Sequence, residues 1–132
     1  MKSSQAITYQ HGVPWDGQHG ISQGYRTNGT IYISGQFSHD MQGHFIGEGD
    51  IAAQTRQTLE NLDRVLAGFG VTRNNLAYVE IYLTNAKEDF EPCVRLFAEY
   101  MGEHRPAGSC IGVDHLASAV QLIEISAIAH TD

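Results

Sequence analysis

The sequence predicts an α+β domain, a mixed β-sheet with two helices on one face. Three observations predict it. Ile51, Thr55, Leu59, Leu62, Leu66 and Phe69 recur at intervals of three or four, the period of an amphipathic helix whose apolar stripe needs a sheet to cover it. Phe90, Val94, Phe97 and Met101 form a second stripe, which Pro106 brings to an end. From Ala77 to Leu83 the chain alternates, with Val79, Ile81 and Leu83 on one side and Tyr78, Glu80 and Tyr82 on the other, as a half-buried strand does. Helices interleaved with strands fit a helical layer on a sheet, and 132 residues fit one core.

Each element follows from local chemistry. Residues 1–20 are rich in Gly, Gln and His around Pro14-Trp15-Asp16 and show neither period. They read as an N-terminal arm or loop ahead of a single domain over residues 21–132. Asn28-Gly29 precedes Thr30-Ile31-Tyr32-Ile33-Ser34, and because both turn residues tolerate positive φ, the pair predicts a type I′ hairpin. The polar run from Gly35 to Gly49 is turn-rich, with one short strand expected near His44-Phe45-Ile46. Asp50 is placed to cap the first helix, and Gly68 and Gly70 bracket its end. For the second helix, Asp89 is the expected cap and Pro92 a first-turn residue. Two closing strands complete the order ββ(β)αβαββ. Tyr32 and Ile123 or Ile125, facing outward, would leave one apolar face uncovered, which marks an interface. Self-association with cyclic symmetry is the economical cover.

Charge and composition exclude several functions. A net charge of −7 with eight scattered basic residues repels phosphate backbones, so nucleic acid is not an expected partner. No apolar run is long enough for a bilayer, and Met1 to Gln5 lack the apolar core of a signal peptide, so a cytoplasmic location with no membrane partner is expected. Cys93 and Cys110 match neither zinc nor redox spacing and read as free thiols. His39 with His44, and His11 with His19, lack a third ligand at a telling spacing. They read as surface histidines, and no metal or cofactor is expected.

The last quarter carries the chemistry. Arg105-Pro106-Ala107-Gly108-Ser109-Cys110 and the strand around Ile123-Glu124-Ile125 set a backbone-rich turn beside one carboxylate. A buried carboxylate is costly unless paired or functional, so Glu124 reads either as a general base acting on water or as an interface carboxylate with a partner. Gly108 and Gly112 read either as a widened cleft, with Ser109 and Cys110 offering N–H donors, or as a β-bulge. Trp15, Ile21, Tyr25 and Phe37 could wall a small-molecule cleft, although packing of the arm accounts equally for Trp15. His115 and Asp114 lie in the loop before the final strand.

Five short motifs stand in a telling order. They are Gln23-Gly24, Ile33-Ser34-Gly35-Gln36, Ile51 to Thr55 with Asn61-Leu62, Pro106-Ala107 with Ser109-Cys110, and Ile123-Glu124-Ile125. From about Ile21 to Ala129 the chain thereby resembles the RidA (YjgF/UK114) family. The resemblance implies a chorismate-mutase-like fold, a homotrimer whose sheets form a central barrel, and small-molecule clefts between subunits that hydrolyse enamines and imines to keto acids and ammonia. It implies a water-directing role for Glu124 and ligand-holding backbone groups at Gly35 and Cys110. The resemblance also puts the positions of Ile21 and Gly108 at that ligand, with Ser109 and Arg105 as neighbouring candidates. The family's carboxylate-clamping arginine is replaced by Gly108, its cleft tyrosine by Ile21, a second last-strand glutamate by Ser126 and a helix asparagine by Val94. Glycine cannot supply a bidentate guanidinium, so Arg105 either swings into the cleft or remains a surface arginine. The expectation is a trimeric hydrolase of an imine, enamine or related C–N bond outside the usual α-imino acids. The alternative is a trimer that binds a metabolite without turnover, and an RNA-cleaving role sits poorly with the acidic charge.

Overall fold

The computed structural model describes residues 6–132, so the first five residues of the expected arm lie outside the described residues. The elements are β1 (Ile7–Tyr9), β2 (Gly24–Thr27), β3 (Thr30–Gln36), α1 (Ile51–Gly68), β4 (Leu76–Leu83), α2 (Ala86–Met101), β5 (Ala107–Gly112) and β6 (Ile123–His130). They build one six-stranded sheet in the order β1-β2-β3-β6-β4-β5. All neighbours are antiparallel except β4 and β5, which run parallel. A parallel pair needs a crossover, and α2 supplies it. Strand β6, last in sequence, slots between β3 and β4.

The expected hairpin is present: Thr27 pairs with Thr30, and Asn28 (φ 50°) and Gly29 (φ 80°) make the two-residue turn. Asp50 caps α1 by accepting from the Ala53 N–H at 3.0 Å. The far end of α1 closes as a Schellman motif, with Gly70 at φ 75° and the Val71 N–H reaching back to the Leu66 carbonyl at 3.1 Å.

Four local expectations are corrected. The segment read as an arm contains a three-residue strand, β1, too short to display a period. It is held by Tyr9, whose ring lies against Phe69 and occupies the space a Cβ on Gly68 would need. The short strand expected at 44–46 is a single bridge between His39 and Phe45. Helix α2 starts a turn earlier than Asp89, at Ala86 after Asn85, which leaves Pro92 inside it. Its buried residues are Cys93 and Met101, while Phe90 is 50% exposed. Finally, Ile123 and Ile125 face the helices and are fully buried.

The core lies between the helices and one sheet face. Ile31, Ile33, Val79, Ile81, Leu83 and Ile123 from the sheet meet Leu59, Leu62, Val65, Leu66 and Met101 from the helices. Each such side chain, fully buried, contributes about 1.5–3 kcal/mol of transfer free energy. Among the described residues no helix covers the opposite face. In-register pairing sets Tyr25, Tyr32, Ile128 and Tyr78 in one row across β2, β3, β6 and β4. Tyr25 is 45% and Tyr32 49% exposed. Among the described residues no helix is long and apolar enough to cross a membrane.

Candidate functional site

Strand β6 alternates strictly, so Ile123, Ile125, Ala127 and Ala129 enter the core while Glu124, Ser126 and Ile128 face the open side. Glu124 is therefore not a charge sunk in the core. It stands at the rim of that open face, half-buried, where β3 and β6 lose register: Ile33 pairs with Ala127 but Gln36 pairs with Ile125. Two residues of β3, Ser34 and Gly35, thus oppose one of β6, Ser126, which is a β-bulge. The bulge matters because the Glu124 carboxylate fills the volume where a Cβ on Gly35 would lie. Only glycine lets the carboxylate rest there.

A cavity of about 420 Å³ opens over this point. Trp15, Ile21, Phe37 and Ala117 give it apolar walls, and Glu124, Asp16, His39, Ser34 and Gln121 are polar members of the lining. Trp15 and Phe37 stack at 5.6 Å between centroids, and the His39 ring meets Phe37 at 4.7 Å and Trp15 edge-on at 5.0 Å. Gln121 steadies the carboxylate: its Nε2 donates to the Ile123 carbonyl and to Glu124 Oε1, each at 3.2 Å.

Buried polar residues of α1 hold the two loops that flank the cavity. Asn61 Nδ2 donates to the carbonyls of Phe37 (2.8 Å) and His39 (3.0 Å). Seven residues earlier, on the same helix face, Gln54 Nε2 donates to Gly47 and Val120 carbonyls while its Oε1 accepts from the Leu122 N–H. The segment before β2 is closed by Asp16, which accepts from the Gly12 and Val13 N–H groups and from Gln23 Nε2. Gln23 in turn accepts from Gln36, whose Oε1 accepts from His11 Nε2 at 2.8 Å. His11 Nδ1 then accepts a hydrogen bond from the Tyr9 hydroxyl at 3.1 Å. His39 donates from Nδ1 to the Asp40 carbonyl at 2.8 Å, which leaves Nε2 as the acceptor of its neutral form. Burial, the leading cause for both, pushes the pKa of His11 and of His39 below the usual histidine value. Both are neutral at pH 7.

The residues expected at the site divide into two groups. Glu124, Gly35 and Ile21 line the cavity. Gly108, Ser109 and Cys110 lie on β5, beyond β6 and β4 from β3, roughly 14 Å away at one strand spacing each. Within one chain they do not meet the cavity. Gly108 pairs regularly with Val79 and makes no bulge. A Cβ there would stand 2.7 Å from the Val79 carbonyl oxygen, so an arginine cannot be grafted on without moving the strand. Arg105 donates to the Gly102 and His104 carbonyls, closing the end of α2 rather than reaching the cavity. Cys93 and Cys110 are free. Burial pushes the Cys93 thiol up to about 12 and also raises Cys110, which disfavours a nucleophilic thiolate.

Of the proposed apolar wall, Trp15, Ile21 and Phe37 take their places, but Tyr25 points to the open sheet face. Two of the four histidines read as superficial are not: His39 is 1% exposed and His11 is half-buried. Aromatic packing accounts for both. Among the described residues no group of His, Cys, Asp and Glu is arranged to hold a metal. Asp114 and His115 pair with each other in the open and do not line the cavity. Sequence reasoning missed Asp16, His39 and Gln121 as cavity residues and Gln54 and Asn61 as supports. The seven-residue spacing of Gln54 and Asn61 on the apolar side of α1 was the available signal.

Comparison with known proteins agrees with this architecture. The family model described as Endoribonuclease L-PSP matches residues 16–131. A RutC family protein of Pyrococcus horikoshii is 38% identical over 84% of this chain and 86% of its own length. The 3-aminoacrylate deaminase RutC of Acinetobacter baylyi is 32% identical over 80% of this chain and 82% of its own. Among crystal structures, a YjgF/YER057c/UK114 family member from Mycobacterium tuberculosis superposes with a TM-score of 0.85 at 25% identity, covering 96% of this chain and 99% of that one. Yeast Mmf1 shares the fold, with a TM-score of 0.87 over 97% of this chain and 100% of its own at 24% identity. A matched segment that runs from the cavity loop through β6, on a shared six-stranded scaffold, places the chain in the RidA (YjgF/YER057c/UK114) family, the one named Endoribonuclease L-PSP.

Proposed function

We propose that this protein hydrolyses an imine, enamine or related C–N bond, with Glu124 directing the water. The observation that carries the reading is the fit of the Glu124 carboxylate into the space that Gly35 leaves at the cavity floor. A carboxylate so placed accepts a proton from water as the oxygen attacks the C=N carbon. The same proton then passes to nitrogen, the carbinolamine collapses, and carbonyl product and ammonia leave. A relative named 3-aminoacrylate deaminase supports the class of reaction.

The site is read as intersubunit. Gly108, Ser109 and Cys110 are exposed or half-exposed along edge strand β5, and the open sheet face carries exposed Ile7, Tyr25, Tyr32 and Ile111, which supports self-association. In a homotrimer a neighbouring copy's β5 would bring its backbone donors to the cavity. Binding without turnover is the second reading, favoured by the absence, among the described residues, of any Lys or Arg from the cavity lining. RNA cleavage is disfavoured by the net charge of −7.

The test is ammonia release from imines generated in situ by an oxidase. Wild-type protein should accelerate it, and Glu124→Gln should lose about 100-fold or more, the usual worth of a positioned general base. Ligand binding with no acceleration by wild-type protein would favour the second reading.

A further inference from the structure

The formal charge of the cavity lining is one-sided. Three of its side-chain donors are engaged with the protein, Gln121 Nε2 with Ile123 and Glu124, Gln23 Nε2 with Asp16, and Ser34 Oγ with the Ser22 carbonyl at 2.6 Å, while His19, Ser22 and Ser118 add further polar side chains to the lining. Two carboxylates, Glu124 and Asp16, stand in that lining. Glu124 Oε2 has no hydrogen-bond partner among the described residues, whereas Oε1 has Gln121. The fixed tautomer of His39 leaves Nε2 as an acceptor. Asp16 is satisfied by its own loop but adds a second negative charge to the wall. Among the described residues no Lys or Arg lines the cavity. The apolar side is aromatic, with Trp15 and Phe37 stacked side by side, and aromatic faces attract cations as well as apolar groups.

We infer that the cavity selects a cationic amine or iminium that has no carboxylate, its nitrogen seated on Glu124 and its apolar body on Trp15 and Phe37. The inference deepens the deaminase reading and, for turnover, rests on it. An iminium R–CH=NH2⁺ plus water then gives the aldehyde R–CHO and NH4⁺, with charge and atoms conserved and no oxidant needed. A carboxylate on the same carbon would meet two like charges in a partly enclosed site, where repulsion is less screened than in water. The positive iminium also places its electrophilic carbon next to the Glu124 carboxylate that would deprotonate water.

Trp15 is the single tryptophan of the chain and lines the cavity, so its fluorescence reads occupancy directly. Full-length protein is titrated with three probes sharing a phenylethyl body: 2-phenylethylamine, 2-phenylethanol and 3-phenylpropionate. The amine should bind about tenfold or more tightly than the other two, and Glu124→Gln should erase that preference. Equal or tighter binding of phenylpropionate overturns the inference, as does an amine preference that survives Glu124→Gln. Turnover is compared in parallel on the phenylethylamine imine made by a flavin amine oxidase and the phenylalanine imine made by an amino-acid oxidase. Faster turnover of the amine-derived imine supports the inference. Preference for the phenylalanine imine overturns it and leaves the deaminase reading intact. Amine-selective binding without any turnover supports the cationic seat and removes the deaminase reading.

Discussion

At the residue scale, the pairing of Gly35 with Glu124 decides what the cavity can do. Gly35 is needed for the space it leaves, since a methyl group there would overlap the carboxylate. Gly35→Ala should displace Glu124 and abolish Glu124-dependent turnover, at a stability cost of about 1–3 kcal/mol from local overpacking; imine hydrolysis and urea denaturation run together check both halves. Glu124 itself was legible in the sequence as an acid among apolar neighbours, and its alternation with Ile123 and Ile125 sets its direction. Its relation to Gly35 was not legible, because it depends on a bulge that shifts β3 by one residue against β6. Gly108 shows the converse. The sequence left open a widened cleft or a bulge, and the structure shows neither within one chain, only a regular pair packed tightly on Val79.

At the element scale, α1 both covers the sheet and supports the cavity. Its apolar stripe was readable from the spacing of Leu59, Leu62 and Leu66, whereas the buried amides of Gln54 and Asn61 left only their seven-residue spacing as a signal and gave no sign of their partners, which include carbonyls of loops distant in sequence. Asn61→Ala would strand the buried carbonyls of Phe37 and His39. Leaving buried polar groups unpaired costs about 1–3 kcal/mol, so the midpoint of thermal unfolding should fall, and Trp15 fluorescence should report a loosened aromatic wall. β1 escaped the sequence for a different reason: three residues cannot show a period of two, and its anchor, Tyr9 over Gly68, is a contact between distant segments. The earlier start of α2 reflects the same limit, because Asn85 ends the preceding turn without offering a side-chain cap.

At the scale of the whole molecule, two histidines tie stability to pH. Burial holds the pKa values of His11 and His39 below their ordinary 6.5. Around and below that value the unfolded chain takes up protons that the folded chain refuses, so stability falls as pH drops from about 6.5 toward the lowered folded values. Above 6.5 the penalty is absent. The unfolding temperature should therefore decline between pH 7.5 and 5.5, and a His39→Leu variant should show a shallower decline; scanning fluorimetry across that range measures both. The exposed row of Tyr25 and Tyr32 on the face without helices should be covered by further copies of the chain. Light scattering should give three times the 14.5 kDa chain mass, and Tyr32→Glu, which puts a charge in the middle of that face, should lower it. The most direct test of the central claim is a trapping competition, in which semicarbazide captures an imine formed in situ while the protein hydrolyses it. Wild-type protein should suppress semicarbazone formation and Glu124→Gln should leave it at the uncatalysed level. Equal suppression by the two proteins would contradict the account.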